Sequence, residues 1–478
     1  MRKQDQLNAL INKLSKQEKR YFKLLASLQT GDKKFIQLFD ELQKSETYEP
    51  EKLVKKLQLS KPMLGHVKNY LQQELLRSLR LYAEDTNLTM SLYNRWQEAR
   101  LLHFHNQHEM AFSICEKALE KALAYENFSV AHNLLALKFN LLQFMERIKE
   151  AKIVAQQTNL AIEQLAEIQQ LMNLILRFSD RASGINETAA YKEVSSAPVF
   201  RITPAKLKSN SARILWHEMQ QNYTYYAKGN LKKAISHNLS KLAIFEKNPS
   251  LIYTWPNSYL ISMGYLGSHY GELHDQEKSL QFAEQLERET DGRRKDLPLS
   301  LCHNLNLVAV VSQLQPLFFM ERFKDTIVKC EYLYGHKRKL SVNYLILTLH
   351  VYSLALFYTG RYDEARKMCE EVSQLDPEVM QDLHIYNKIV LVMLHYNLKN
   401  YSLLPYLINS AAAWAKRHKL EFAGTTEIIS WLRKLERETS SGGQKLFFKE
   451  FKAAVEKGVF KKYSNELMLS RWIGLQPS

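Results

Sequence analysis

Apolar residues recur along most of this chain three or four positions apart, which is the spacing of an amphipathic α-helix. The pattern is clearest in residues 346–379, where one stripe is formed by Leu349, Tyr352, Ser353 and Leu356. Gly360 follows this stripe, and glycine commonly ends a helix because it accepts a positive φ. A second amphipathic stretch runs from there to Pro377. The segment predicts a hairpin of two helices, which cannot bury its apolar face without stacked neighbours.

The residues after Gly360 resemble those of a tetratricopeptide repeat. Asp363 and Glu364 suit the first turn of the second helix, where the helix dipole favours negative charge, and Ala365 is small where the two helix axes should cross. Weaker copies of this hairpin pattern occur along the chain. They predict further residues at which two helix axes cross: Ala111, Ala151, Ala234, Ser279, Thr326 and Leu404. Their spacing exceeds the family's period of about 34 residues. The resemblance, to repeats of bacterial type, implies an all-α protein in which such hairpins form an α-solenoid.

These patterns divide the chain into five parts. An N-terminal basic helical domain, called the head below, spans residues 1–87, and the repeats occupy residues 88–182 and 213–415. Between the two sets of repeats, residues 183–212 are rich in Ser, Thr and Pro, which predicts a loop or hinge. Residues 416–478 are expected to form helices that cap the last repeat.

Positive charge is concentrated at the two ends of the chain. Residues 1–82 contain 17 Lys and Arg against 9 Asp and Glu, and residues 414–478 contain 13 against 7. The ends therefore carry +8 and +6 of the formal net charge of +16. A polyanion should meet these ends before it meets the nearly neutral middle.

Part of the head faintly resembles the helix-turn-helix of bacterial regulators. A short apolar helix is followed by a turn in which Ser60 can cap the next helix and Pro62 lies in its first turn. If the resemblance holds, the residues that face bases and phosphates are Lys61, His66, Lys68 and Asn69. A short helix, a capped turn and a longer helix also describe a hairpin that only caps a repeat array, so both interpretations stay open.

The resemblance to tetratricopeptide arrays also implies a concave surface lined by one face of each first helix. The offsets of the clearest repeat place mainly aromatic residues on that face: Trp216, Met219, Tyr223, Tyr226, Phe318, Phe319, His350, Leu354, Phe357, Tyr358, Tyr386 and Tyr396. Chaperone-binding members use Lys and Asn there, and this chain lacks that set. An aromatic face suits an extended apolar peptide or an amphipathic helix. The other interpretation is that these side chains only pack between helices or against the head.

The sequence contains no recognised catalytic or cofactor motif, since phosphate-loop, dinucleotide-binding, HExxH and GxSxG patterns are all missing. His103, His105 and His108 cluster without a carboxylate or cysteine at ligand spacing, so we expect no metal. The widely spaced cysteines suit a reduced cytoplasm, and Cys115, Cys330 and Cys369 are predicted to be core residues. No apolar run reaches the roughly 18 residues of a membrane span, and the start is too polar for a secretory signal.

From these observations we expect a non-enzymatic, cytoplasmic scaffold that binds a protein or peptide in its aromatic face and uses no cofactor. The alternative hypothesis is a DNA-binding transcriptional regulator, in which the head binds nucleic acid and the repeats sense a partner. Neither the partner nor the oligomeric state is predicted by the sequence.

Overall fold

The computed structural model describes residues 5–28, 33–44, 48–84, 87–177, 187–294, 297, 299–419, 424–438 and 440–476. Across these ranges every regular element is helical, with 25 α-helices and no strand. The predicted all-α class is therefore confirmed for this part of the chain. The helices pack into two compact units, of which the first comprises Met1–Asn230 and Leu239–Pro256 and the second Leu231–Asn238 and Asn257–Ser478.

The first unit begins with the head. Its helices are α1 (Gln6–Lys13), α2 (Lys16–Ser27), α3 (Lys34–Leu42), α4 (Pro50–Leu57) and α5 (Lys61–Glu84). Ser15 caps α2 in a reciprocal arrangement, because its hydroxyl accepts from the Glu18 N–H while the Glu18 carboxylate accepts from the Ser15 N–H. Phe22 and Phe39 form the centre of a separate head core with leucines of α5, which packs on α2, α3 and α4.

Helical hairpins follow the head in the first unit. The helices are α6 (Leu88–Phe104), α7 (His108–Ala124), α8 (Phe128–Phe144), α9 (Ile148–Leu176), α10 (Glu187–Ser196), α11 (Asn210–Asn222), α12 (Leu231–Lys247) and α13 (Leu251–Thr254), and the first eight residues of α12 belong to the second unit. Each of α6 to α8 packs against the next helix, and α11 packs against α9. The apolar stripe of each helix is thus buried by its neighbours, as the periodicity predicts.

The second unit continues with helices that also pack mainly on their neighbours in sequence. They are α14 (Pro256–Glu272), α15 (Gln276–Gly292), α16 (Leu299–Phe319), α17 (Phe323–Gly335), α18 (Val342–Tyr358), α19 (Tyr362–Val372), α20 (Gln381–Asn397), α21 (Leu404–Arg417), α22 (Thr425–Arg437), α23 (Ser441–Glu456), α24 (Lys461–Glu466) and α25 (Leu469–Gly474). One continuous apolar core joins the helices from α16 to α25.

One turn geometry recurs at ten helix junctions of the described residues, three of which hold Gln58, Glu126 and Gly458. The other seven precede the predicted crossing residues. A residue with positive φ lies at each of them: Asn106, Glu146, Gly229, His274, Glu321, Gly360 and Lys399. The next residue donates its N–H to a carbonyl in the last turn of the preceding helix, as Arg361 does to Leu356 at 2.9 Å. This is the Schellman arrangement, which satisfies carbonyl groups that the helix end leaves open. Because only two of these seven residues are glycine, backbone geometry marks the junctions more consistently than glycine does.

The residues predicted at the helix crossings lie at a common position. Six of them, which are each the fourth residue of their helix and at most 3% exposed, are Ala111, Ala151, Ala234, Ser279, Thr326 and Ala365. Leu404 is also buried, at 1% exposed, but it is the first residue of α21. Every crossing residue lies five positions after a residue with positive φ. The turn therefore sets the register in which the second helix of a hairpin meets the first.

At Cys115 and Asn238, each four positions after a crossing, the side chain contacts a helix that follows in the chain. The Cys115 thiol donates to the Leu134 carbonyl at 3.1 Å, and Asn238 Nδ2 donates to the Ser262 carbonyl at 2.9 Å. All four cysteines are free and buried. Burial raises the pKa of Cys115 and of Cys369 to about 12. Cys115, Cys330 and Cys369 are thus part of the core, as predicted.

The long interval between Ala151 and Ala234 is filled by a long helix and short elements. α9 alone spans 29 residues. The predicted loop, 183–212, contains α10 and two 3₁₀ turns that begin at Pro198 and Pro204, while residues 183–186 lie outside the described ranges. This segment is ordered by three buried apolar side chains, those of Val194, Val199 and Leu207. Its Ser, Thr and Pro content therefore does not make it a structureless loop in the residues that are described.

Candidate protein-interaction face

The predicted face of the first unit lies on α11 and on the single π-helical turn that follows it, Tyr223–Ala227. Met219 is fully buried, whereas Trp216, Tyr223 and Tyr226 are half-buried. All four belong to one apolar cluster that also includes leucine and isoleucine side chains of α9. The structure thus brings together the four residues that the sequence predicted for this part of the face.

A short internal segment, residues 198–207, lies across this face and is called the internal cover. The ring of Phe200 meets the ring of Tyr223 edge to face, with centroids 4.9 Å apart. Gln220 on α11 donates from Nε2 to the main-chain carbonyl of Phe200 at 3.0 Å. One aromatic contact and one main-chain hydrogen bond therefore fix the middle of the internal cover on α11.

Arg213, also on α11, holds the later part of the internal cover. Its guanidinium donates to the Pro204 carbonyl at 3.1 Å and to the Leu207 carbonyl at 3.2 Å. Hydrogen bonds from side chains to the main chain are a mode by which proteins hold extended peptides independently of their exact sequence. The α11 face thus holds a segment of its own chain in part through that segment's main-chain carbonyls.

In the second unit the predicted face lies inside the apolar core. The side chains concerned are no more than 8% exposed, namely Phe318, His350, Leu354, Phe357, Tyr358, Tyr386 and Tyr396. Phe319 is half-buried. A partner can reach this set only if part of the second unit moves, so the open aromatic groove expected here is closed in the structure.

The closure comes from helices α23 to α25, residues 441–474, which are called the C-terminal cover. The Trp472 indole lies edge to face with the Tyr396 ring at 6.1 Å, and its Nε1 donates to Asn397 Oδ1 at 3.1 Å. Tyr463 meets the Tyr386 ring edge to face at 5.1 Å. Since Trp472 and Tyr463 are themselves fully buried, the C-terminal cover and the predicted face form one core.

Tyr358 and Arg471 fasten the last part of the C-terminal cover. The Tyr358 hydroxyl donates toward the main-chain carbonyls of Leu467 and Met468, at 2.5 and 3.0 Å. The Arg471 guanidinium forms an ion pair with Glu321 and lies 4.8 Å from the centre of the Phe323 ring. Glu321 is also one of the seven turn residues with positive φ. Polar contacts thus surround the aromatic side chains beneath the C-terminal cover. This arrangement favours a C-terminal cover that stays packed on the second unit.

Two buried polar side chains of this face lack hydrogen-bond partners within the described residues. They are His350, through both ring nitrogens, and Tyr386, through its hydroxyl, and their ring centres lie 6.2 Å apart. Burial lowers the pKa of His350 to about 4, so the imidazole is neutral at physiological pH. Buried polar groups without partners cost stability, and this cost makes His350 and Tyr386 useful positions for testing how closed the face is.

The four residues of the helix-turn-helix hypothesis lie at the start of α5. The Ser60 hydroxyl accepts from the Met63 N–H at 3.3 Å, so the capped turn is formed. Lys61, His66 and Asn69 are exposed. Lys68 instead forms an ion pair with Asp5 and lies 4.7 Å from the centre of the Tyr48 ring. Three of the four residues are therefore accessible to a ligand, whereas Lys68 is engaged within the head.

The histidines near the turn between α6 and α7 form a pair. His103 Nδ1 and His108 Nδ1 are 3.1 Å apart, and the Phe144 ring stacks on His108 at 5.4 Å. His105 is exposed. The described ranges contain no group of three or more side chains suited to hold a metal ion. The distance between the two Nδ1 atoms is that of a hydrogen bond between the imidazoles of His103 and His108.

Sequence reasoning missed the residues that close the two faces, above all Phe200, Arg471 and Trp472. A local signal existed only for Trp472, because Leu469, Trp472 and Ile473 have helical spacing and are all buried. Phe200 lies in a 3₁₀ turn, where no such periodicity can develop. Arg471 has a partner 150 residues away, so no local pattern could reveal it.

No protein-family model, curated protein or solved structure matches this chain. Within the described ranges, no helix combines the length and apolar character that a membrane crossing requires. What the protein does is therefore argued below from the geometry of its own residues.

Proposed function

We propose that this chain is a non-enzymatic scaffold for protein–protein interaction in the cytoplasm, built from hairpins of the tetratricopeptide type that stack as an α-solenoid. One observation carries the proposal: each of the seven buried crossing residues follows the same turn at a distance of five residues. Repetition of one hairpin is how helical repeat proteins build extended binding surfaces. The proposal assigns no cofactor and no catalytic residue.

The α11 face is the surface that we assign to the partner. Trp216, Tyr223 and Tyr226 are only half-buried there, and three side-chain hydrogen bonds from α11 hold main-chain carbonyls of the internal cover. Trp and Tyr are common anchors at protein interfaces, because they combine apolar area with a polar atom. A partner's extended apolar segment could replace the internal cover or lie beside it. The second unit contributes stability to the scaffold, since its aromatic face already forms a closed core.

The test is purification of the tagged full chain from cells that make it, after lysine crosslinking, with partners quantified by mass spectrometry. We expect one or a few proteins in near-stoichiometric amounts. Their recovery should fall at least about tenfold when Trp216 and Tyr223 are both changed to Ala, which corresponds to about 1.4 kcal/mol of binding free energy. The control is Tyr406→Ala, at a tyrosine that is 75% exposed in the second unit.

The outcomes separate two questions. A crosslinked sample without any stoichiometric partner contradicts the scaffold proposal. A partner whose recovery is unchanged in the double variant leaves the scaffold proposal standing but removes the α11 face from it. Circular dichroism of each variant must match that of the wild type, so that loss of binding is not loss of folding.

A second candidate function, a DNA-binding regulator with these repeats as a sensor, is favoured by one observation. Lys61, His66 and Asn69 are exposed at the start of α5, directly after a capped turn. Binding of a random DNA duplex, followed by fluorescence anisotropy, should be strongest at about 50 mM salt and should weaken several-fold in Lys61→Glu. The absence of binding at that salt concentration would end this candidate.

A further inference from the structure

Two turns of the second unit bring basic side chains together around one histidine. One turn follows α15, and the other, which follows α17, contains a 3₁₀ turn, Lys337–Lys339. His303 of α16 lies beside the second turn, because its ring centre is 6.2 Å from that of His336. The side chains concerned, called the basic cluster below, are Arg294, His303, His336, Arg338 and Lys339.

The basic cluster combines accessible charges with a fixed ring. Arg294, Arg338 and Lys339 are exposed, whereas the two histidines are half-buried. The imidazole of His336 is held by α17, because its Nδ1 donates to the Tyr332 carbonyl at 2.8 Å and the two ring centres are 4.6 Å apart. The exposed charges can therefore reach a ligand in solvent, while the ring keeps its position.

The charges that shift the pKa of His303 are all positive. The pKa of this imidazole is lowered by burial and further by the charges of Lys339, His336 and Arg294. Its Nε2 is buried and has no hydrogen-bond partner among the described residues. An anion held at the basic cluster would therefore offset the repulsion between these cations, and it would favour the protonated form of the imidazole.

Two cations of the basic cluster have no acidic partner. Arg338 and Lys339 form no ion pair with a carboxylate in the part of the chain that the structure describes. The carboxylate of Glu371 is occupied by the neighbouring Lys337, at 2.8 Å. The basic cluster therefore keeps positive charge that an anionic ligand can neutralise.

The positive surface ends at a neighbouring groove. This groove of about 470 Å³, formed by α15, α16 and α17, is lined by four carboxylates and three basic side chains, and its Asp291 lies 3.7 Å from Arg294 of the basic cluster. The four carboxylates are those of Glu284, Glu287, Asp291 and Asp325. A nucleic acid, whose phosphates repeat along the strand, would meet these carboxylates beside the basic cluster. The small extent of the positive surface thus favours a single phosphate group.

We propose that the basic cluster binds a phosphorylated side chain of a partner protein. A phosphoserine carries about two negative charges and three acceptor oxygens, which suit guanidinium, ammonium and imidazole donors grouped at one place. Recognition of phosphorylated segments by clustered basic residues is a recurring mode of protein interaction. The inference rests on the proposed scaffold function and adds a chemical feature of the partner that the second unit recognises.

The experiment uses the full chain and a short peptide in which phosphoserine stands between glycine and alanine residues. The histidine ring resonances are followed by NMR and assigned with His303→Gln and His336→Gln. At about 50 mM salt, the resonances of both histidines should shift saturably with a Kd below about 1 mM, and the unphosphorylated peptide should shift neither. The bound phosphate should also raise the pKa of His303, which a purely structural role of this residue would leave unchanged.

Two charge-reversal variants locate the peptide. Binding should weaken at least about tenfold in Arg338→Glu/Lys339→Glu, because two attractive charges become repulsive. The matched control, Lys445→Glu/Lys449→Glu, makes the same change of charge at exposed lysines of α23 and should leave binding within about twofold.

The proposal is overturned if about 10 mM phosphoserine peptide gives no saturable shift, or if both double variants weaken binding equally. Shifts caused by inorganic phosphate but not by the peptide would also overturn it, because the ligand is then not a side chain of a partner. So would a random DNA duplex that displaces the peptide with the same dependence on Arg338 and Lys339, since the surface then belongs to nucleic acid. Any of these results, with a stoichiometric partner still found by crosslinking, would leave the scaffold function intact.

Discussion

The predicted aromatic face is buried to a different extent in the two units. In the first unit, Trp216, Tyr223 and Tyr226 stay half-buried beneath a ten-residue internal cover, residues 198–207. In the second unit, Tyr386 and Tyr396 are 1% and 5% exposed beneath three helices of the C-terminal cover. The same kind of surface can therefore serve as a site that a short segment partly occupies or as the interior of a domain. The amount of apolar area that the covering segment brings decides between the two.

The covers also differ in how they are held. The internal cover brings the apolar side chains of Val199, Phe200, Ile202 and Leu207, and three hydrogen bonds from Arg213 and Gln220 hold its carbonyls. The C-terminal cover brings Phe451, Tyr463 and Trp472, all fully buried. Each hydrogen bond contributes a net of about 1 kcal/mol to the stability of the fold, whereas a buried aromatic side chain contributes about 3 kcal/mol or more. The C-terminal cover should therefore be far harder to remove than the internal cover.

The largest expected effect comes from removing the central aromatic residue of the C-terminal cover. Trp472→Ala deletes a fully buried indole and leaves Asn397 without its hydrogen bond, so the second unit should lose about 3–5 kcal/mol of unfolding free energy. Urea unfolding followed by circular dichroism measures the loss, and hydrogen exchange assigns it to residues 257–476. Leu475→Ala, at a side chain that is 49% exposed, is the control. A loss below about 1 kcal/mol would show that the C-terminal cover is not part of the core.

Acid should destabilise the second unit through His350. Burial lowers its pKa to about 4, against about 6.5 in the unfolded chain, so the unfolded chain binds more protons between these values. The unfolding free energy should therefore fall as the pH drops from about 6.5 to about 4, by up to about 3 kcal/mol. His269, whose pKa burial also lowers to about 4, adds to the slope.

The histidine prediction is checked by urea unfolding across that pH range. His350→Leu should remove its share of the slope, whereas His105→Gln, at an exposed histidine, should leave the slope unchanged. An identical pH dependence in wild type and His350→Leu would mean that the face around His350 opens to water readily.

A smaller effect is expected from the internal cover. Phe200→Ala removes the edge-to-face contact with Tyr223, and the first unit should lose about 1–2 kcal/mol. Hydrogen exchange of residues 210–222 should become faster, because the α11 face is then less protected. Phe104→Ala, at a ring that is 74% exposed, should change neither quantity. A loss as large as that for Trp472→Ala would remove the contrast between the two covers.

The smallest effect has the opposite sign. The Tyr386 hydroxyl is buried and has no hydrogen-bond partner among the described residues, so Tyr386→Phe should stabilise the second unit by about 0.5–1 kcal/mol. Tyr463→Phe is the matched variant, and it should destabilise by about 1 kcal/mol because the Tyr463 hydroxyl is 2.7 Å from the Thr425 hydroxyl. Thermal unfolding of the pair measures both changes. Destabilisation by Tyr386→Phe would mean that water reaches this hydroxyl.

The hairpins could be predicted from the sequence because their signals are local. Helical spacing located each second helix, and a small residue at the crossing is visible in the chain at positions such as Ala111 and Ala365. The turns were harder to predict, since the left-handed position holds Asn, Glu, His or Lys as well as Gly. The packing of the hairpin imposes the left-handed backbone conformation at those residues. The residue type therefore does not reveal it.

The accessibility of the candidate face could not be predicted, because both covers depend on contacts between distant parts of the chain. Periodicity showed that residues such as Tyr386 share one helix face, but not what lies against that face. The same limit applied to Lys68, whose partner Asp5 is 63 residues away.

The seven hairpin turns each fix the handedness of one exposed residue, and Glu321 among them also forms the ion pair with Arg471. At the turns other than the one at Glu321, an engineer could therefore attach a fluorophore or alter charge without disturbing helix packing. Five of the seven residues carry a Cβ in a conformation that costs about 1 kcal/mol relative to glycine. Replacing a few of these exposed residues by glycine should therefore raise the melting temperature of the protein.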